Sequence, residues 1–261
     1  MDSIGASVKG WVVLSLLSNK YDALFKSRFH GAANIRGIRY QILYSILRAF
    51  ELYENKTQSA SITLEGIEDV DIEINNFKIF NEHAQVKSAS KPWAWSNLKS
   101  YDNKRGPIQN FIEAYRVDSD SNFLLVFDFE LKNEIEKISR FNSLPETEKQ
   151  GLRNKFRELC RSCGGTNYEA DSILDKLKIV SLSEEEILES LRRIISKTYD
   201  LGSDLVECYI KIFISAFLKW AEERKKVFRK DLEEIRVSIK ESYKREEDFQ
   251  AYGRGLIDRI H

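Results

Sequence analysis

The sequence predicts an α/β (α+β) fold: a mixed sheet flanked by helices, followed by an all-helical C-terminal region. Three observations predict it. Short alternating segments cluster between residues 61 and 88. A continuous apolar run, Phe123-Leu124-Leu125-Val126-Phe127, follows them. After Pro145 there is no proline, which leaves the remainder free for long helices.

The elements follow in order. Residues 37–53 carry apolar side chains at Ile38, Ile42, Leu43, Ile46, Leu47 and Phe50, a helical stripe. Residues 55–60 are polar and read as a loop. In 61–65, Ile62 and Leu64 fall on one side and Thr63 and Glu65 on the other. In 69–74, Val70, Ile72 and Ile74 alternate with Asp69, Asp71 and Glu73, the pattern of a half-buried strand. Asn75-Asn76 signals a turn. Residues 83–88 form a third strand, with Ala84 and Val86 opposite His83, Gln85 and Lys87. Residues 110–115 fit a short helix, and 123–127 fit a strand buried on both faces. Beyond that, Ser143-Leu144-Pro145-Glu146 and Ser183-Glu184-Glu185-Glu186 have the spacing of a capping box, in which each side chain satisfies a free amide at the helix start. Ile187, Leu188, Leu191, Ile194 and Ile195 make a helical stripe. Residues 205–225 and 231–243 predict two more helices. The division falls between residues 130 and 144, giving a sheet-containing domain over 1–135 and a helical domain for partner binding or oligomerisation over 136–261.

Composition narrows the function classes. Lys+Arg and Asp+Glu are equal at 41 each, so any nucleic-acid contact must come from a local patch rather than from net charge. Three cysteines do not make a disulfide framework. Cys160 and Cys163 read as helix packing near a Gly164-Gly165 stop, and the compartment as reducing and cytoplasmic. The apolar stretch 11–17 lacks a preceding basic cluster and a small-residue cleavage site, so it is not a secretory leader. Glu207, Lys211 and Lys219 interrupt the run 205–221, which excludes a membrane span.

Chemistry concentrates between residues 62 and 88. Along a strand, residues i and i+2 share a face, so Gln85 and Lys87 point the same way, as do Asp69 and Asp71. If these strands pair, carboxylates meet an amide and an ammonium group, and Glu65 joins them from the first strand. Such a set suits phosphodiester hydrolysis. A magnesium ion takes one or two carboxylates with neutral oxygens and water, and it neutralises charge on the phosphate. Lys87 supplies a point charge or orients the water. Taken singly, each feature is what the wet face of a half-buried sheet also displays; their conjunction carries the argument.

The ordered set of an acid, an aspartate and Gln85-Val86-Lys87 resembles the PD-(D/E)XK superfamily, the restriction-endonuclease-like fold, in its Gln-x-Lys form. More narrowly, the run from Gly31 to Gln41 (Gly-Ala-Ala-Asn-Ile-Arg-Gly-Ile-Arg-Tyr-Gln) resembles the start of the double-stranded-DNA endonuclease domain of bacterial anti-phage effectors such as those of CBASS and Lamassu systems. Ile38 stands where an aromatic residue is usual there. The resemblance covers residues 30–130. It implies a nuclease in which Asp69, Gln85 and Glu65 hold Mg2+ or Mn2+, with Asp71 an alternative ligand to Asp69. Lys87 is the catalytic lysine and Gln41 completes the pocket. It further implies double-stranded DNA as substrate, a partner ATPase of the SMC-like or helicase kind, and a homo-oligomer when active. Some relatives carry a cyclic-oligonucleotide sensor at the carboxyl end, for which this chain is too short and too helical after residue 140. Lys91, Trp93 and Lys99 follow the Gln-x-Lys strand and are candidate DNA contacts, although a tryptophan there also suits the core. The competing functions are a catalytically inactive nuclease-like subunit that binds DNA or protein, and a helical scaffold with an accessory sheet.

Overall fold

The computed structural model describes residues 32–54, 60–64, 69–75, 79–88, 93–101, 104–131, 133–239 and 241. The expectations placed on Glu65, Lys91 and the stretch 11–17 lie outside the described residues. The first elements are α1 (Ala32–Glu54), β1 (Ala60–Leu64), β2 (Val70–Asn75) and β3 (Ile79–Lys87). A two-residue hairpin follows, β4 (Ser100–Tyr101) with β5 (Lys104–Arg105), then α2 (Pro107–Val117) and β6 (Asn122–Phe127). The chain continues through α3 (Asn133–Ser139), α4 (Glu146–Ser162), α5 (Asn167–Lys176), β7 (Leu177–Ser181), α6 (Glu184–Tyr199), α7 (Ser203–Glu222) and β8 (Lys226–Phe228). It closes with α8 over residues 229–239.

The main sheet has the order β7-β6-β3-β2-β1-β8. β1, β2 and β3 pair antiparallel, whereas β3–β6 and β6–β7 are parallel. The fold is therefore a mixed α/β fold, with helices on both faces. Alternation decides the layers. Ile62, Leu64, Val70, Ile72, Ala84 and Val86 pack under α1, α6 and α7, against Leu43, Phe50, Leu191, Phe213 and Phe217. Phe123, Leu125 and Phe127 pack under α2, α4 and α5, against Phe111, Phe156 and Ile173. β6 feeds both cores, which is why its sequence is apolar throughout.

The separate helical domain is corrected by this sheet. β7 and β8 come from the half expected to be all helical, yet they form the two edges of the same sheet, and both cores mix residues from either side of residue 135. Leu177 and Ile179 alternate with exposed Lys178 and Val180, but five residues between two helices left too short a signal to separate from them. One capping expectation also fails: α4 starts at Glu146 behind Pro145, with no side-chain cap. Ser183 with Glu186 does form the box, and so does the unforeseen pair Thr166 with Glu169. The Gly164-Gly165 stop is present, with Gly164 in the left-handed region at φ 83° just past α4.

Candidate functional site

β3 runs past its neighbour. The β2–β3 register ends at Val70 opposite Ala84, so Gln85, Val86 and Lys87 extend beyond the paired stretch. On the other side the pairing continues, with Gln85, Val86 and Lys87 opposite Leu125, Val126 and Phe127 of β6. Among the described residues, β2 and β3 thus part at this end, leaving a split in the sheet. Backbone groups facing the split need partners other than a strand. Side chains provide them. The Val86 N–H donates to Asp69 Oδ2 at 2.9 Å, and the Val86 carbonyl accepts a long contact of 3.4 Å from Gln41 Nε2 of α1.

The same Asp69 oxygen takes Lys87 Nζ at 2.8 Å, a charge-assisted contact in which the lysine side chain keeps 26% of its exposure and the aspartate 17%. One carboxylate therefore fixes the catalytic-candidate lysine and the strand that carries it. Gln85 is nearly buried and shares the Lys87 face by alternation. Asp71 shares that face too, but it lies inside the paired stretch opposite His83, and its Oδ1 is 2.6 Å from His83 Nδ1. The His83 ring stacks on Phe123 at 6.3 Å. Of the two aspartates, Asp69 is the one brought to Lys87.

α1 lies along β3, and its polar residues follow the strand from end to end. Arg48 reaches Glu82 at 3.0 Å, Gln41 reaches Val86, and Arg36 Nη2 reaches Asp128 Oδ2 at 2.8 Å. Asp128, just past β6, also accepts from Ser88 Oγ at 2.5 Å, and its side chain is only 3% exposed. Tyr40 donates to the Leu182 carbonyl just past β7, and burial pushes its phenol well above the ordinary value. Arg36, Ser88 and Asp128 were not singled out from the sequence. The available signal was positional: Ser88 adjoins Lys87, and Asp128 ends the apolar run.

Of the three candidate DNA contacts, Lys99 is exposed on the turn before β4. Trp93 is corrected: it is 6% exposed and packs edge-on against Phe127 at 5.1 Å, so its ring serves the core and has no open face for a base. Gly106 holds this region close. A Cβ there would sit 2.4 Å from the Leu98 carbonyl oxygen, so only glycine lets the chain turn into α2.

The oxygen groups at the split are the Asp69 carboxylate and the Val86 carbonyl, and alternation along β3 sets the Gln85 amide on the Lys87 face beside them. They fit a hard divalent cation that retains part of its water. Among the described residues, no group of three or more His, Cys, Asp or Glu side chains gathers. None of the described helices is long and apolar enough to cross a membrane.

No protein-family model matches the chain, and no curated protein matches it in sequence. Among solved structures, it is similar to the Acinetobacter baumannii Cap4 SAVED/CARF-domain-containing receptor with the cyclic trinucleotide 2′3′3′-cAAA. The TM-score is 0.53 at 17% identity, covering 76% of this chain and 44% of that one. The Moraxella osloensis Cap4 SAVED/CARF-domain-containing receptor gives a TM-score of 0.50 at 17% identity, over 76% of this chain and 46% of that one. The likeness is one of fold, and the chain spans less than half the length of these receptors.

Proposed function

We propose that this chain is a Mg2+-dependent (or Mn2+-dependent) double-stranded-DNA endonuclease that acts in the cytoplasm as the effector of a bacterial anti-phage defence system. The observation that carries the reading is the contact of Lys87 with Asp69 at the split end of β3, where Gln85 shares the lysine's face and water has access. Asp69, the Gln85 amide oxygen and the Val86 carbonyl are the groups that would hold the cation. When bound, it neutralises phosphate charge and acidifies a water. Lys87 lies beside that position as a compact point charge for the phosphate or a donor that orients the attacking water. Gln41 steadies the Val86 carbonyl from α1. The defence context draws support from the fold likeness to Cap4 receptors. An unrestrained nuclease would damage its host, so activity depends on a partner ATPase of the SMC-like or helicase kind, or on self-association.

The fold likeness favours a second reading, a cyclic-oligonucleotide receptor, because the similar structures are receptors, one of them with 2′3′3′-cAAA. The third, an inactive nuclease-like subunit, keeps the fold without cutting. One experiment separates the three. Plasmid is incubated with the protein, with and without candidate partners, in Mg2+ and in EDTA, beside Lys87→Ala; cyclic trinucleotide binding is measured by calorimetry on the same sample. Metal-dependent cleavage lost in Lys87→Ala supports the nuclease. Trinucleotide binding without cleavage supports the receptor. DNA binding without cleavage in any condition supports the inactive subunit.

A further inference from the structure

The nuclease reading leaves one cluster unused, at the paired ends of β3 and β6. Arg36 leaves α1 towards the ends of β3 and β6. There Asp128 Oδ2 receives both its Nη2 and the Ser88 hydroxyl. The two partners are unlike in exposure: Asp128 has 3% of its side chain open and Arg36 has 55%. A carboxylate this buried is costly to place, and it acts as a fixed anchor once bonded. A guanidinium has five N–H donors in a planar fork, and holding one edge fixes where the others point. Ser88 follows Lys87 directly in the chain, so the anchor is coupled to the candidate lysine.

We propose that Arg36, anchored by the Asp128–Ser88 pair, is a positioning residue that grips a phosphate flanking the one that is cut. The inference rests on the DNA endonuclease reading. It gives the Arg36–Asp128 contact a purpose beyond packing: the carboxylate orients the guanidinium, and the exposed side of the fork meets the backbone in a forked contact that a lysine reproduces only as a charge.

The test compares wild type, Arg36→Gln, Arg36→Lys and the surface control Arg192→Gln, whose ion pair with Glu207 lies on exposed α6 and α7. Cleavage of a labelled duplex in Mg2+ gives kcat and KM. Equilibrium binding of the same duplex without Mg2+, each variant carrying Lys87→Ala, gives the salt dependence. Arg36→Gln is expected to raise KM about tenfold and to reduce the salt slope by about one, with kcat within about twofold. Arg36→Lys recovers part of the KM and all of the slope, and Arg192→Gln matches wild type. An unchanged KM and slope in Arg36→Gln overturns the proposal, and so does a fall in kcat and melting temperature with the slope intact, which marks a structural role. If wild type binds DNA with the predicted slope change but never cuts, the phosphate contact stands and the nuclease reading falls. If wild type does not bind DNA, both fall.

Discussion

Asp71–His83 and Asp69–Lys87 lie on one face of the central sheet, their aspartates two residues apart and their basic partners four, yet they meet different surroundings. The carboxylates are almost equally covered, at 19% and 17% exposure, so burial of the acid does not separate them. The basic partners do: the His83 side chain is 7% exposed and stacked on Phe123, while Lys87 is 26% exposed. The backbone differs as well. Asp71 sits where β2 and β3 are hydrogen-bonded, and Asp69 sits where they have parted and its carboxylate replaces a strand. The inner pair closes a sheet. The outer pair holds a charged donor that is open to solvent.

The largest expected effect breaks the comparison outright if it fails. Lys87→Ala is expected to lower cleavage by about 10²–10⁴-fold, the range for losing a positioned catalytic side chain, with melting little changed because Lys87 is partly exposed. Asp69→Asn should fall in the same class. His83→Ala and Asp71→Asn should cleave normally per folded molecule. If Asp71→Asn abolishes cleavage in a protein that melts like wild type, the two aspartates exchange roles.

The next effect is on stability. Trp93 packs on Phe127, the residue opposite Lys87, so Trp93→Ala should cost about 3–5 kcal/mol in chemical denaturation. Trp93→Phe should lose less, and DNA affinity per folded molecule should not change in either. A selective loss of affinity in Trp93→Phe would return the ring to the DNA surface. His83→Ala is smaller again. It removes one partner of a mostly buried carboxylate and should cost about 1–3 kcal/mol without touching cleavage of the folded fraction.

The sheet was legible up to residue 127 because its strands alternate cleanly or, in β6, are apolar throughout. The order helix, three strands, helix, strand read from the residues is the order found, except that the short β4–β5 pair, which the sequence did not suggest, stands between β3 and α2. β7 and β8 were missed because each is short and lies against a helix, so a local window holds little more than helical signal. The partition at residue 135 failed for the same reason, since edge strands supplied late in the chain leave no mark on local composition. In the site, alternation placed Gln85 and Lys87 on one face and both aspartates on theirs, but it could not choose between Asp69 and Asp71. That choice depends on where β2 ends against β3, which is a matter of pairing rather than pattern. Arg36 and Asp128 were invisible for a related reason: 92 residues separate them, and only the packing of α1 against the strand ends brings them together.

The smallest effect sharpens the distinction between a pair that builds the fold and a pair that is open. Glu169, in the first turn of α5, accepts from Arg116 Nε of α2 at 2.6 Å and from the Thr166 N–H at 2.7 Å. The Arg116 bond first, and the Thr166 bonds after it, hold its carboxyl below the ordinary 4.5. Asp171 is likewise held below 3.8, first by Arg157. A depressed folded value means these contacts contribute fully above the unfolded value and are lost as pH falls through the folded one. Melting temperature should therefore hold from pH 7 to about 5 and decline below about 4.5, where the unfolded carboxyl begins to take up a proton that the folded one still refuses. Arg116→Met should lower the melting temperature at neutral pH and flatten its decline in acid. Because α2 and α5 lie in the core layer beneath Phe123 and Leu125 rather than at the split, the variant should cleave like wild type per folded molecule. An acid profile identical in Arg116→Met and wild type would show that the pair contributes nothing that depends on ionisation. The contrast would then rest on Asp71 and His83 alone.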